Sequence, residues 1–344
     1  MNWQVVEVTS GVRDDAVFGA PKPDVGDGRS AFIVTKSIHS PGIDPTWPSV
    51  KTLLCWLDGI EPSPMDDVVA YNARSDADNV RNLPPSTSYR ISGGGRGAHA
   101  QLLMFQGKPW EHEMLAALGY SMLGDQLHFF WHGQFRKLFP DHPQPLRMMD
   151  WESMVDRMAM AFAIGRTDEG IYDGYLTHGA LNRQYQLEIS YEQKHRCGLA
   201  FMLRLFADWR GDVSHAWPDF AYAEPIYEAI LGAWRSEDPD ALVPLLLAAC
   251  DRHTYEGHPD KEEVFYDFRS MPRTPVEILL LFRLRELCGL KNPHLDHPLM
   301  ASSFDRMPES QPAYVPDELV LGTLARVRED WPEIDSVLSF NALR

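Results

Sequence analysis

Two histidines on one predicted helix have the spacing that most directly suggests metal chemistry. His128 and His132 lie four positions apart in the segment LHFFWHG, so both imidazoles project from the same side of a helix. Such a pair can bind one metal ion. No glutamate follows the first histidine, so the zinc-protease pattern is absent, and the sequence marks no third ligand. The surrounding aromatic residues favour partly buried, hydrogen-bonded histidines.

A second set of residues has the composition of a magnesium-dependent nuclease site. Asp173 is followed by Glu192 and Lys194, and an acidic residue with a later Glu-x-Lys can hold magnesium and position an attacking water. That chemistry usually places Glu-x-Lys on a strand, whereas the residues from Leu187 onward continue with helical spacing. The alternative is a solvated helix face with ordinary ion pairs four residues apart.

The glycine-rich segment Ser92–Ala98, SGGGRGA, only loosely fits a dinucleotide-binding loop. It follows a strand-like YRIS, but AQLLMFQG after it resembles a second strand and not the required helix. The pattern therefore predicts a flexible hairpin loop. In that interpretation Arg96 lies at a mobile tip, where it could contact a partner.

The segment from Trp209 to Tyr227, WRGDVSHAWPDFAYAEPIY, has the composition of an interaction surface. Aromatic residues interspersed with acids are typical of a hot-spot surface that binds a basic partner. Core packing of a long loop between two helices is the competing interpretation. The predicted contact residues are Asp212, Trp217, Asp219, Glu224 and, on the glycine-rich segment, Arg96.

The charge of the protein is strongly negative and unevenly distributed. Its 49 acidic and 32 basic residues give a formal charge of −17. Residues 1–110 contain 12 acidic and 10 basic residues, so residues 111–344 contain the other 37 and 22. This field disfavours nucleic acid and anionic membranes as ligands and favours a basic protein partner, although it could also serve solubility alone.

Cysteine spacing and the N-terminal sequence indicate a cytoplasmic protein. Cys55, Cys197, Cys250 and Cys288 form no CxxC pair, which favours free thiols in a reducing compartment. The first fifteen residues lack the basic and apolar regions of a signal peptide. No uncharged apolar run approaches the ~20 residues that a membrane span requires.

Hydrophobic periodicity divides the sequence near residue 108. Residues 1–108 contain short runs rich in β-formers, separated by Gly and Pro clusters, which predicts a small β-rich region with one short helix at residues 50–59. Residues 109–344 follow the helical period and predict a helical domain, so the expected fold class is α+β. The predicted strands are Trp3–Val8, Ala31–Ser37, Val68–Tyr71, Ser88–Ser92 and Gln101–Phe105, and the predicted helices are 110–123, 125–138, 150–164, 184–210, 224–236, 239–254, 275–288 and 316–330.

The helix predicted at residues 275–288 is apolar around nearly its whole circumference. This distribution is typical of a buried helix, so we expect it to be the central strut of the helical domain. Thr274 and Glu277 have the spacing of a capping box, and Gly289 is placed to end the helix. Arg283 and Arg285 interrupt the apolar surface, and each should require a carboxylate partner.

This helix also supports a family resemblance. RTPVEILLLFRLRELCGL with the following NPHLDHPLM, and the upstream YEAILGAWRSEDPDALVPLLLAACDRH, resemble helical immunity proteins encoded beside type VI secretion effectors in polymorphic toxin systems. The resemblance covers about residues 170–335. It implies a protein that binds its cognate toxin stoichiometrically and blocks it, with no catalytic residue and no cofactor.

The sequence therefore predicts a cytoplasmic, non-enzymatic inhibitor of a secreted bacterial toxin. A nuclease is the expected target, because an acidic surface can mimic the phosphates that a nuclease binds in its basic groove. Neither a nucleic acid nor a membrane is an expected partner, and the oligomeric state is left open. Two alternatives remain: a metal-dependent hydrolase that uses one of the two residue sets above, and an adaptor of the secretion apparatus.

Overall fold

The computed structural model describes most of the protein after residue 39. The described residues are 40–57, 65–74, 84–141, 151–181, 196–212, 217, 219–257, 267–268, 270–301, 307–336 and 338. Within these ranges the protein forms twelve α-helices and no strand. The helices are α1 Val50–Leu57, α2 Asp66–Asn72, α3 Ser86–Phe105, α4 Glu111–Leu138, α5 Trp151–Ala163, α6 Thr167–Leu181, α7 Cys197–Arg210, α8 Pro225–Ala233, α9 Val243–Glu256, α10 Val276–Leu287, α11 Pro298–Ala301 and α12 Glu318–Asp330.

The predicted α+β fold class, with its β-rich N-terminal region, is wrong for the part of residues 1–108 that the structure describes. The runs assigned to strands at 68–71, 88–92 and 101–105 lie in α2 and α3, and the helix predicted at 50–59 is α1. The runs at 3–8 and 31–37 lie outside the described residues. A run of four or five residues is too short to distinguish the period of a strand, 2, from the period of a helix, 3.6. Tertiary packing therefore decided that these runs form helices.

One apolar cluster shows how packing selects helices in this region. Val68 and Tyr71 are three residues apart on α2 and both are buried, together with Tyr89 of α3 and Tyr120 of α4. Leu324 of α12, more than 200 positions further along the sequence, joins the same cluster. Because α12 covers one stripe of α2, residues three apart are buried together, which a strand would not allow.

The glycine-rich segment lies in the middle of α3, so the hairpin-loop prediction is also wrong. A Cβ at Gly93 would lie 2.2 Å from Oγ of Ser121 on α4, and a Cβ at Gly124 would lie 2.8 Å from the carbonyl oxygen of Ser86 on α3. The glycines let α3 and α4 approach closely along their length. The boundary predicted near residue 108 falls in the short connection between these two helices and stays a prediction.

Most helical predictions beyond residue 109 are confirmed in the part of the chain that the structure describes. Of the helix predicted at 184–210, residues 184–195 lie outside the described residues, and the short helix α11 was not predicted.

Three larger differences remain. Residues 111–138 form the single helix α4, because Gly124 packs against α3 and does not interrupt the helix. The 3₁₀ turn Asp240–Leu242 precedes α9, so α9 begins later than predicted and has Pro244 in its first turn. Helix α6 was not predicted, since Gly170 and Gly174 weaken its local preference; both glycines make room for phenylalanine rings.

Helix α10 is buried along most of its length, which confirms the predicted central strut. Gly289 follows it with φ +73°, and the N–H of Leu290 bonds the carbonyl of Arg285 at 2.9 Å. The capping box is wrong, because Pro275 is the N-cap without a side-chain bond and the Glu277 carboxylate contacts His253. Local spacing permitted that cap, but the buried histidine binds the carboxylate instead.

The arginines of α10 mainly bind backbone carbonyls, some of them at the ends of helices, and not the expected carboxylates. The fully buried Arg285 donates to backbone carbonyls of Trp234, Ser236 and Lys291. Arg283 donates to the carbonyls of Phe162 and Ala163 at the end of α5, and has one partly exposed carboxylate partner. The last carbonyls of a helix carry partial negative charge, so a guanidinium there satisfies both hydrogen bonding and charge.

None of the described helices combines the length and apolar character needed to cross a membrane.

Candidate interaction surface

The predicted contact residue Trp217 is turned inward and anchors its segment. Its ring centroid lies 5.2 Å from that of His178 on α6, in an edge-to-face arrangement. The indole also packs against Ala200 of α7 and Ala221, both buried. Tyr227, at the end of the segment, is buried as well and stacks on Phe201 with ring centroids 4.6 Å apart. Core packing therefore explains much of the aromatic content of this segment.

Tyr222 is an aromatic side chain of the segment that faces solvent. It ends the 3₁₀ turn Asp219–Tyr222 and is 48% exposed. The guanidinium of Arg204 lies 4.2 Å from the centre of its ring, and the same group donates to the carbonyl of Ala221 at 2.7 Å and to both carboxylate oxygens of Glu228. A cation held over one face fixes the ring while the rest of the ring stays accessible.

The Tyr222 ring lies at one end of a polar edge between α7 and α8. Arg204 and Asp208 are four residues apart on α7 and so share one of its sides. Arg204 pairs with Glu228 of α8, and Asp208 accepts a hydrogen bond from the Trp234 indole at 2.8 Å and contacts Arg235 at 3.2 Å. We call these residues, with Tyr222, the α7–α8 edge. Its two arginines balance its two acids, so the edge itself carries no net charge.

A turn after α8 supplies unbalanced negative charge. Glu237, Asp238 and Asp240 are all exposed, and within the described ranges none of them takes part in an ion pair. Helix α8 spans nine residues, so about 14 Å separates this acidic turn from the Tyr222 end of the edge. A typical protein interface buries about 800 Å² per partner, and a patch of that area can include both the Tyr222 ring and the acidic turn.

Two predicted contact residues stabilise the ends of helices. The Glu224 carboxylate is the N-cap of α8, accepting from the N–H of Ile226 at 3.4 Å, and it lies 3.3 Å from Arg252 of α9. Asp212 follows the left-handed Gly211 that ends α7, and its N–H bonds the carbonyl of Ala207 at 2.9 Å. Both are partly buried, so their role as contacts stays a prediction.

The two remaining predicted contact residues, Asp219 and Arg96, lie in a 3₁₀ turn and in helix α3. Asp219 begins the 3₁₀ turn that carries Tyr222. Arg96 lies inside α3 and not at a mobile tip; its Nη1 donates to Glu113 of α4 at 3.0 Å and its guanidinium lies 4.7 Å from the centre of the Tyr120 ring. These α4 contacts hold Arg96 on the α3–α4 pair.

Asp173, the first residue of the proposed nuclease set, is fully buried and paired with arginine. Nε and Nη2 of Arg157 donate to its two carboxylate oxygens, each at 2.8 Å. Burial, only partly offset by Arg157, raises the pKa of Asp173 to about 6. Glu192 and Lys194 lie outside the described residues. The carboxylate that was expected to bind a metal ion therefore serves as the counter-ion of a buried guanidinium.

The histidine pair is placed on α4 as predicted, with the two rings against each other. The centroids of His128 and His132 are 4.3 Å apart with an interplanar angle of 75°. Among the described residues, no group of three or more His, Cys, Asp or Glu side chains is arranged to hold a metal ion. Two other buried histidines have defined partners: His253 contacts Glu277 at 2.9 Å, and His297 contacts Asp251 at 3.1 Å.

Sequence reasoning identified a segment with an accessible aromatic residue but did not select that residue. Tyr222 was distinguishable only weakly, because WPDFAY contains three aromatics within six positions and the spacing does not show which of them faces inward. The acidic turn at 237–240 was visible in the sequence as SEDPDA, where three acids and a proline within six positions favour an exposed turn.

Comparisons with protein-family models, with curated proteins and with solved structures found no match.

Proposed function

We propose that this protein is a binding protein of the immunity type, which neutralises a basic toxin, in the first place a nuclease, by occupying its surface through the α7–α8 edge and the acidic turn. The observation that carries the proposal is the exposed Tyr222 ring fixed by Arg204, together with a turn at the other end of α8 whose three acids have no counter-ion within the described residues. A rigid aromatic residue and nearby unbalanced charge are the two features that interfaces use for anchoring and for steering.

The anchoring role depends on the low entropy cost of immobilising Tyr222. The ring is already held on one face by the guanidinium, which is itself fixed by Glu228 and by a backbone carbonyl. A partner that covers the other face therefore loses little side-chain freedom on binding. The neighbouring Trp217 contributes indirectly, because it packs on α6 and α7 and holds the 3₁₀ turn in place.

The steering role depends on the acidic turn and on the charge of residues 111–344. A cognate nuclease has a basic groove for phosphate, and exposed carboxylates present a similar negative charge to that groove. Long-range attraction of this kind raises the association rate and is screened by salt. Binding should therefore weaken with ionic strength mainly through slower association.

The test is binding of the purified protein to the product of the neighbouring open reading frame, measured at low and high salt. Tyr222→Ala should weaken the complex by about 2 kcal/mol, roughly 30-fold, mainly through faster dissociation. Leu321→Ala, which truncates a similarly exposed apolar residue on α12, is the matched control and should leave affinity unchanged. Equal affinities of the two variants would exclude the α7–α8 edge as the contact.

The charge component is tested separately. Changing Glu237 to Gln with Asp238 and Asp240 to Asn should slow association about tenfold at low salt and flatten the salt dependence. A triple variant of Glu309, Glu318 and Asp296 to the corresponding amides removes equal charge elsewhere on the surface and should have a smaller effect. A complex indifferent to salt would remove phosphate mimicry from the proposal, and no complex would remove the proposal itself.

A further inference from the structure

Residues 40–48, with the sequence SPGIDPTWP, run along the surface of the protein without forming a helix or a strand. Most of them are exposed, whereas Asp44 and Pro48 are buried. They contact α9 and the turn at 271–273, and the hydrogen-bonded residues lie 210 to 225 positions apart in the sequence. We call residues 40–48 the strap, and the residues of α9 and of the turn that bind it the strap site. Because the strap has no regular secondary structure, its contacts with the strap site fix its course.

The first half of the strap binds two polar side chains of α9. Oγ of Ser40 donates to the carboxylate of Asp251, and the N–H of Asp44 donates to Oγ1 of Thr254 at 2.8 Å. Thr254 is fully buried, and its hydroxyl donates to the carbonyl of Asp251 at 2.7 Å. Since the hydroxyl hydrogen is directed at the helix backbone, the oxygen is left to accept from the strap.

The second half of the strap is held through its tryptophan. Nε1 of Trp47 donates to the carbonyl of Pro272 at 2.8 Å, and Cζ of Arg273 lies 3.6 Å from the centre of a Trp47 ring. Nε of Arg273 donates to the carbonyl of Pro48 at 2.6 Å. The strap site thus contacts the N–H of the indole, the face of the indole and the carbonyl that follows it, a combination that specifies a tryptophan.

Arg273 is dedicated to the strap. In the part of the chain that the structure describes it has no carboxylate partner, and its described contacts are the indole face and the carbonyl of Pro48. Burial lowers the pKa of Arg273, as expected for a cation that has lost water and gained no counter-ion. A strap site without its strap would present this guanidinium and Oδ2 of Asp251, two polar groups placed to bind the same segment again.

The strap contains its own turn and ends at a hinge. Oδ1 of Asp44 accepts from the N–H of Thr46 at 2.7 Å, and the N–H of Trp47 donates to the carbonyl of Asp44 at 3.0 Å, so a local turn presents the indole. Directly after the strap, Oγ of Ser49 accepts from the N–H of Thr52 at 3.1 Å and caps the first turn of α1. The turn and the helix are stabilised separately, so the backbone between them can change direction without disrupting either.

We propose that the strap site also binds the strap of a second copy of this protein, so that two copies exchange straps and each site is completed by the tryptophan of the other. An exchanged strap keeps every contact described above, and only the backbone at the hinge changes. A second copy is the favoured occupant because its strap matches the site by identity, including the turn that orients the indole. The exchange uses other residues than the α7–α8 edge and does not depend on the proposed toxin binding.

Within one native molecule the strap has the advantage of proximity. Its own site meets it at an effective concentration of about a millimolar, so exchange is weak unless one half of the contact is defective. Two variants make use of this. Trp47→Ala has an intact site and a defective strap, whereas Arg273→Met has an intact strap and a defective site. When they are mixed, the strap of one and the site of the other restore a native contact between two molecules.

Mixing these two variants is the decisive experiment. At about 100 μM of each, where a complex of micromolar affinity is nearly complete, native mass spectrometry should detect a one-to-one heterodimer. Arg328→Met alters an exposed arginine whose partner is Asp335, so its strap stays on its own site, and it should give much less heterodimer with Trp47→Ala. If Trp47→Ala and Arg273→Met form no more heterodimer than this control pair, the proposal is overturned.

A synthetic peptide distinguishes strap exchange from other association. The peptide SPGIDPTWPS, residues 40–49, should bind Trp47→Ala and dissociate the heterodimer when added in excess. The same peptide with alanine in place of its tryptophan should bind about tenfold more weakly. A heterodimer that persists in excess peptide would show that the two copies do not associate through the strap site, which also overturns the proposal. If Trp47→Ala does not fold, Trp47→Phe, which keeps a ring beside Arg273 but lacks the N–H, takes its place in both measurements.

Discussion

Two regions of the described protein bury carboxyl groups and compensate their charge differently. Between α3 and α6, Asp125 and Asp173 alternate with arginines: Nε of Arg90 lies 3.1 Å from Asp125, and Arg157 contacts both aspartates. Two guanidinium groups thus serve two carboxylates. In the second region, Glu256 at the end of α9 accepts from Nε of Arg252 at 2.5 Å and Asp267 accepts from the N–H of Gly198 at 2.6 Å, and the other oxygen of each carboxyl group has no hydrogen-bond partner among the described residues.

This difference shows that burial alone does not decide whether an acid is ionised. The aspartates of the first region are as inaccessible to solvent as Glu256 and Asp267. Counter-charges set the outcome, because a guanidinium within hydrogen-bonding distance stabilises the charged form of a carboxyl group and a second carboxylate destabilises it. The first region is an ion network of four charges on α3, α4, α5 and α6, in which the pKa of Asp173 rises only to about 6, whereas burial with fewer donors raises the pKa of Asp267 well above its usual range.

Removing Arg157 should produce the largest effect on stability. Arg157→Met leaves Asp173 without its bidentate partner and Asp125 with only Arg90, so the free energy of unfolding should fall by about 3–5 kcal/mol. Urea denaturation at neutral pH measures the change. Arg328→Met, which breaks a solvent-exposed pair with Asp335, is the control and should cost less than about 1 kcal/mol. Similar losses in both variants would mean that the buried network contributes no more than a surface pair.

Gly93→Ala tests whether close approach of α3 and α4 is what makes the ion network possible. The added methyl group would collide with Ser121 and separate the two helices near Arg90, with an expected cost of about 1–3 kcal/mol. Gly94→Ala is the matched control, because a Cβ at Gly94 meets no atom within 4 Å. That variant should gain about 0.5–1 kcal/mol from helix propensity, and a loss there would contradict the packing explanation.

Arg252→Met should give the smallest loss and should sharpen the contrast between the two regions. Arg252 is partly exposed, so its removal should cost about 1–2 kcal/mol at neutral pH. Burial raises the pKa of Glu256 and Arg252 partly offsets this, so without the guanidinium the pKa of Glu256 should rise further. An acid with a raised folded-state pKa loses its contribution to stability as pH rises through that pKa, so stability should fall with pH. The pH-dependent fall in stability should then extend to more alkaline solution, as measured by denaturation at a series of pH values. A fall that ends at lower pH would show that Arg252 does not stabilise the ionised form of Glu256.

Local signals predicted the helices where the apolar pattern was long. The pattern around α10 extends over twelve residues and is interrupted by only a few charged groups, so its burial was predictable. The proline at the start of α8 was informative because its fixed φ and missing N–H suit the first helical turn. The apolar runs of α2 and α3 were too short to distinguish a helix from a strand. The glycines of α3 indicated a loop, but in the structure they allow α3 to pack closely against α4.

The candidate surface was predictable as a segment but not in its orientation. Trp217 and Tyr222 have similar local surroundings in the sequence, yet one packs against His178 and the other lies over Arg204 in solvent. The direction of each ring depends on which helix passes beneath the segment. Spacing within the segment contains no information about that helix.

The amino-acid sequence by itself determined the helical character of residues 109–344 in the part described, the buried state of α10 and the excess of acidic residues. Each of these depends on composition or on periodicity within one segment. Only the tertiary structure decided which polar group meets which: that Asp173 binds Arg157, that Arg285 binds carbonyls, and that Asp267 accepts from the N–H of Gly198. The reason is physical, because the protonation and pairing of a buried group depend on neighbours that are distant in the sequence.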